Sequence, residues 1–150
     1  MIKKILSILS ISTITLMALD SGDTLPPLAT KKLSLQNDKI YIIDFFASWC
    51  HSCEKELPLI NKLNSSIDKN TTEIIGVDVD KNIEEGKIFQ KELDLNFRVV
   101  NDANNEIIGT FNPVGMPSLF IVKNSKIITV ITGAKDNIDS YILDGLKDLK

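Results

Sequence analysis

Apolar positions recur at two different spacings along this chain, and each change of spacing marks an element. Lys39–Ala47 reads KIYIIDFFA. The run is β-branched and aromatic, nearly all apolar and one strand long, as in a strand buried on both faces. Beyond residue 53, Glu54, Leu57, Ile60, Leu63, Asn64 and Ile67 fall at helical spacing, with Pro58 inside the helix and expected to kink it. Glu73–Val79 is a second strand. Asn82 opens a helix to about Asp94 that offers Ile83, Ile88, Phe89 and Leu93 for packing. Phe97–Val100 reads as a short strand. Asn104–Phe111 reads as a short helix that stops at Asn112-Pro113, because the residue before proline disfavours helix. Ser118–Val122 and Lys126–Thr132 flank Asn124-Ser125, the pattern of a hairpin. Gly133 ends that pair, and Asp136 or Asn137 caps a last helix with Ile138, Tyr141, Ile142, Leu146 and Leu149 on its apolar face. A further short strand is expected at Lys32–Leu35, before a turn at Asn37-Asp38. The order predicts an α/β domain with a central mixed sheet and helices on both faces.

The N-terminus has a different character. Lys3 and Lys4 precede an uncharged run, Ile5–Leu19, rich in Ile, Leu, Ser and Thr. A basic start and an apolar stretch form the pattern of a secretory signal. The run is shorter than the ~20 residues that cross a hydrocarbon core comfortably. Ala18 could end a cleaved signal, although Leu16 then sits where a small residue is preferred. The segment 1–19 is therefore read as a signal peptide or as an uncleaved anchor through residues 5–19. Asp20, Ser21, Gly22, Asp23, Pro26 and Pro27 make 20–31 read as a linker. The domain proper is expected at 32–150.

With 150 residues, 43% hydrophobic and 25% charged, the chain has the size and composition of one globular domain. A net charge of −3 without a basic block excludes a nucleic-acid partner.

The chemistry centres on Trp49-Cys50-His51-Ser52-Cys53, which holds both cysteines of the chain and its one histidine. Two intervening residues let one helical turn bring the sulfurs within bonding distance. Cys50 follows a buried strand and opens a helix, where the helix dipole and free N–H groups favour thiolate. It is the expected nucleophile, and Cys53, one turn further in, the resolving thiol. As an inert staple the bridge would be poor, because so short a loop removes little chain entropy. His51 as imidazolium would favour the reduced form, whereas Glu54 and Glu56 push the other way; as an exposed ring it would have a minor effect. Asp44 sits among Ile42, Ile43, Phe45 and Phe46. Buried there, its pKa should rise strongly, so that it could take the Cys53 proton and return it. The alternative is a strand-edge aspartate in contact with solvent. Pro117, after Gly115-Met116 and before a strand, can carry a cis bond.

Residues 44–53, DFFASWCHSC, resemble the active-site segment of thioredoxins. Pro58 matches the proline inside the family's active-site helix, Met116-Pro117-Ser118 its cis-proline loop, and Gly133 a glycine that ends a strand. The resemblance covers most of 32–150 and implies a thioredoxin-like three-layer sandwich. The loop Val114–Ser118 and the exported N-terminus are most similar to the TlpA/ResA-type subgroup, bacterial proteins on the outer side of the cytoplasmic membrane. Many of these are reductases, and some prepare apocytochrome c thiols for haem attachment. Three departures stand out. The subgroup often carries asparagine where this chain has Asp44, and the lysine that accompanies the buried acid in thioredoxin is replaced by Gly76. The dipeptide His51-Ser52 also differs from the usual Gly-Pro.

The expectation is an exported, periplasmic thiol:disulfide oxidoreductase, soluble or tethered to the membrane, acting mainly as a reductant. Cys50, Cys53 and Asp44 would carry the chemistry. Trp49, His51 and Ser52 would modulate it, and Gly115, Met116 and Pro117 would bind the substrate chain. No cofactor and no metal are expected. The partners would be disulfide-containing exported proteins and a membrane thiol-disulfide electron donor, with the chain itself a monomer. A periplasmic oxidase or isomerase, with electrons flowing the other way, is the first alternative. A protein holding Cu(I) or Zn²⁺ through Cys50, Cys53 and His51 is the second. Peroxidases of the same fold rank lower.

Overall fold

The computed structural model describes residues 17–149. The signal or anchor reading therefore falls almost wholly outside the described residues. Among the described residues, no helix is long and apolar enough to cross a membrane.

Five strands form one sheet: β1 (Ile40–Phe46), β2 (Thr72–Asp78), β3 (Arg98–Asn101), β4 (Ser118–Lys123) and β5 (Lys126–Thr132), in the order β3-β2-β1-β4-β5. β1 is central. It pairs parallel with β2 and antiparallel with β4, so the sheet is mixed. All seven of its residues are buried, the both-faces pattern expected of KIYIIDFFA. β4 and β5 join through Asn124 and Ser125, both at positive φ (51° and 59°), as a tight primed hairpin turn requires.

The helices are α1 (Pro27–Lys32), α2 (His51–Ser66), α3 (Ile83–Glu92), α4 (Glu106–Phe111) and α5 (Ile138–Lys147). Alternation along β1 assigns them to layers. Tyr41, Ile43 and Phe45 point into a cluster with Ala29 of α1 and Ile107 and Phe111 of α4. Phe45, Phe111 and Phe120 form an edge-to-face trio there, with centroids 4.9–5.8 Å apart. Ile40 and Ile42 point the other way, onto Ile60 and Leu63 of α2 and Ile138 and Ile142 of α5. Phe46 continues that face into a third cluster with Cys50, Cys53, Leu57 and Phe89 of α3. The result is the expected three-layer α/β sandwich.

Three expectations need correction. Lys32–Leu35 is no strand: it is the end of α1 and the turn after it, with Ser34 at positive φ. The stretch 20–31 is not a free linker. Thr24 bridges to Lys126, α1 starts with Pro27 at a position where a missing N–H costs nothing, and Leu25, Ala29 and Leu33 enter the core. Of the residues offered by α3, Phe89 is buried, whereas Ile83 and Ile88 are exposed, as is Tyr141 on α5. Asn82 caps α3 as expected, accepting the Glu84 N–H at 3.1 Å. For α4 the capping group is Asp102, whose carboxylate accepts the N–H groups of Ile107 and Ile108.

Candidate active site

The site forms where β1 hands over to α2. Cys50 is the N-cap of α2, with extended backbone angles (φ −90°, ψ 94°), and its Sγ accepts the Cys53 N–H at 3.3 Å. Cys50 and Cys53 form a disulfide, with Cα atoms 5.2 Å apart. Cys50 is 8% exposed and Cys53 1%. Cys50 is thus the more accessible of the two sulfurs, and it stands at a helix N-terminus, a position that favours thiolate. Trp49 stands beside it with 68% of its surface open.

His51 and Ser52 are both exposed. The His51 side chain is 77% open, and its Nδ1 lies 3.3 Å from Glu54 Oε2. An imidazolium in that position is met by a carboxylate, which weakens its pull on a neighbouring thiolate.

Asp44 lies on the face of β1 that carries Ile42 and Phe46, beneath α2. It is 1% exposed, and its Oδ1 has no hydrogen-bond partner among the described residues. The strand-edge reading is thereby excluded, since β1 has strands on both sides. Gly76 is its register partner on β2. A Cβ at 76 would stand 2.7 Å from the Phe46 ring and 3.0 Å from Phe97. Aromatic carbon thus occupies the space through which a lysine at that position would reach the acid. Burial, and then the charge of Glu56, hold the Asp44 carboxyl well above the usual carboxylate range.

Glu56 is the residue that sequence reasoning misplaced. Glu54 was expected on the inner stripe of α2; it is exposed, and Glu56 is buried in its stead. Its Oε2 accepts the Lys135 N–H at 3.0 Å. Burial pushes its carboxyl up, against a smaller lowering by the Lys135 N–H and charge. The signal was present: Glu56 falls three residues after Cys53 and four before Ile60, on one helical face. Two buried carboxyls, Asp44 on β1 and Glu56 on α2, are therefore both held above the ordinary carboxylate range, and the charge of Glu56 adds to the rise at Asp44.

The second loop closes the site. Met116-Pro117 is a cis peptide, and Met116 packs against the cluster that holds both cysteines. The Pro117 carbonyl accepts the Gly133 N–H at 2.9 Å, and Ser118 Oγ donates to the Gly115 carbonyl at 2.7 Å. Gly133 holds φ at +81°, a conformation suited to glycine. Pro117 is buried and Gly115 exposed. Trp49 and Met116 flank an open groove of about 600 Å³, with Val79, Ile108 and Pro113 adding apolar surface and Asn82 and Asn105 adding carboxamides. An extended chain laid there meets apolar walls and hydrogen-bonding groups beside the disulfide. Among the described residues no three His, Cys, Asp or Glu side chains are grouped to hold a metal ion.

Sequence and fold comparisons agree with this geometry. Residues 19–131 match the model of the AhpC/TSA family. The chain is 34% identical over 117 residues to the thiol-disulfide oxidoreductase ResA of Bacillus thuringiensis, across 75% of this chain and 68% of that one. Its fold is similar to that of the thiol:disulfide interchange protein DsbE from Chlorobium tepidum, with a TM-score of 0.75 at 20% identity, over 87% of this chain and 98% of that chain. It is similar also to StoA from Bacillus subtilis, with a TM-score of 0.64 at 20% identity, over 71% and 84% of the two chains. The disulfide on a helix N-terminus, its buried acids and these relatives converge: the chain belongs to the AhpC/TSA family, with a thioredoxin-like fold, and is a thiol:disulfide oxidoreductase built on Cys50 and Cys53.

Proposed function

We propose that this protein is an exported reductase that opens disulfides in other exported proteins, with the disulfide of apocytochrome c among the substrates that its resemblance to the TlpA/ResA-type subgroup implies. The observation that carries the direction of flow is the charge around the thiols. Asp44 lies buried on β1 and Glu56 on the inner face of α2, His51 faces Glu54, and the lysine of the thioredoxin pattern is replaced by Gly76. A histidine met by a carboxylate, and a glycine where the pattern has lysine, leave less positive charge to steady a thiolate, and the disulfide is stabilised relative to the reduced pair. A stable disulfide means a strongly reducing dithiol. Electrons would come from a thiol-disulfide donor in the membrane, and the chain would act as a monomer. Lys3, Lys4 and the uncharged run after them support export, with Cys50, Cys53 and Asp44 as the reacting groups.

In each cycle the Cys50 thiolate attacks a substrate disulfide and displaces one substrate thiolate. Cys53, its proton taken by Asp44, then attacks Cys50 Sγ and releases the second. Two electrons pass to the substrate, and the Cys50–Cys53 disulfide returns. The potential of the pair, measured against glutathione, is expected near the thioredoxin value of ~−270 mV; a value near ~−120 mV would make the protein an oxidase and overturn the reductase reading. Cell fractionation tests the other half. The protein should be recovered from the extracytoplasmic or membrane fraction, and recovery from the cytosol would sink the export reading.

A further inference from the structure

A second pair of buried acids, Asp78 and Asp80, lies on the other support of the active-site turn. Parallel pairing sets Phe46 beside Asp78, so the chain leaving β1 runs close to the chain leaving β2. The Val79 N–H donates to the Phe46 carbonyl at 3.0 Å. The next residue, Asp80, is 4% exposed, and both its oxygens engage Ser48: Oδ2 accepts the backbone N–H at 2.8 Å and Oδ1 the hydroxyl at 2.9 Å. Ser48 stands two residues before Cys50, and between them Trp49 shares the substrate groove with Asp80.

Asp80 is itself held. Its N–H donates to Asp78 Oδ1 at 2.9 Å, and Asp78 Oδ2 accepts from Gln90 of α3 at 2.6 Å. A methyl group at Gly86 would overlap that carboxylate, so α3 also packs directly on it. Two adjacent buried acids are a costly way to hold a loop, and buried polar networks of this kind specify one geometry rather than add stability.

In the disulfide form the S–S bond itself fixes Cys50. In the dithiol form that bond is gone, and the turn, with the N-cap contact from the Cys53 N–H, keeps one sulfur facing the other. We infer that Asp80 is a positioning residue of the redox centre, which fixes this turn through Ser48 and so keeps the reduced pair poised to close. The inference rests on the Cys50–Cys53 redox chemistry and not on the direction of electron flow. A tighter turn raises the effective concentration of one thiol at the other and stabilises the disulfide.

Equilibration with glutathione reads this directly, because the disulfide and two glutathione thiols give the dithiol and one glutathione disulfide. Asp80→Ala is expected to shift the equilibrium about tenfold toward the dithiol, equivalent to about 30 mV. Ser48→Ala, which loses one of the two bonds and keeps the charge, should move it by about threefold in the same direction. Asp80→Asn, which keeps one acceptor and loses the charge, should behave like Ser48→Ala and recover about half of the alanine shift in potential. Wild-type potentials in both Asp80→Ala and Ser48→Ala would overturn the inference. So would Asp80→Asn equal to Asp80→Ala with Ser48→Ala unchanged, since charge alone would then account for the shift. If Asp80→Ala does not fold, Ser48→Ala and Asp80→Asn decide, and wild-type potentials in both overturn it. A wild-type protein that did not exchange with glutathione at all would instead strike at the redox reading itself.

Discussion

Cys53→Ser is expected to halt the protein halfway, with substrate joined to Cys50 through a mixed disulfide, and Cys50→Ser to abolish exchange outright. The difference follows from where the two sulfurs sit. Cys50 is the more open of the two and occupies the helix N-cap, so an incoming disulfide meets it first. Cys53 is packed with Phe46 and Leu57 and has one partner within reach, the Cys50 sulfur. An intramolecular thiol has an effective concentration far above that of any free thiol, so its loss should slow release of the mixed disulfide by about a thousandfold or more. Serine is close in size to cysteine and keeps the N-cap geometry, so neither variant should lose its fold. Non-reducing gels of cells that express each variant, followed by identification of the attached proteins, give the answer. The same experiment names the substrates. Complexes that accumulate on Cys50→Ser rather than Cys53→Ser would reverse the assignment of the two thiols.

How much of this was legible in the sequence depended on how local the signal was. KIYIIDFFA announces a doubly buried strand by composition alone, and an aspartate within it announces a perturbed carboxyl. The C-x-x-C at the strand–helix junction and the Met116-Pro117 loop are likewise short, self-contained patterns. Glu56 was harder, because the phase of a helix decides which of two nearby acids turns inward. That phase is set by the N-cap at Cys50, and a shift of two residues exchanges Glu54 for Glu56. The N-terminal stretch misled through Pro26-Pro27, which suits a linker and also a helix start; Ala29 and Leu33, four apart, carried the helical signal. The contact of Asp80 with Ser48 spans 32 residues and follows from the β1–β2 register, which no local pattern contains.

Asp44→Asn should make the oxidised protein more stable at pH 8 than the parent, and a slower enzyme at every pH. The stability effect has a definite sign. Burial, reinforced by Glu56, raises the folded-state pKa of Asp44 well above its unfolded value. Below the unfolded value both states hold the proton, and the contribution of Asp44 is fully present. As pH rises toward the folded value, the unfolded chain releases its proton first, and stability falls until a buried carboxylate remains. Glu56, also raised, acts in the same direction, and Asp78, pushed up to about 6 chiefly by burial, adds a decline between about pH 4 and 6. Asparagine has no proton to lose, so the variant should gain on the order of 1–3 kcal/mol over the parent at pH 8 and little at pH 4. Melting curves of the disulfide form, in which the thiols cannot titrate, isolate this term. The rate effect runs the other way: without a group to take the Cys53 proton, resolution of the mixed disulfide should slow by about a hundredfold. Glu56→Gln should slow it less, because Glu56 acts through Asp44. Equal melting shifts at pH 4 and pH 8 would place Asp44 outside the titrating core, and a wild-type resolution rate in Asp44→Asn would remove it from the proton path.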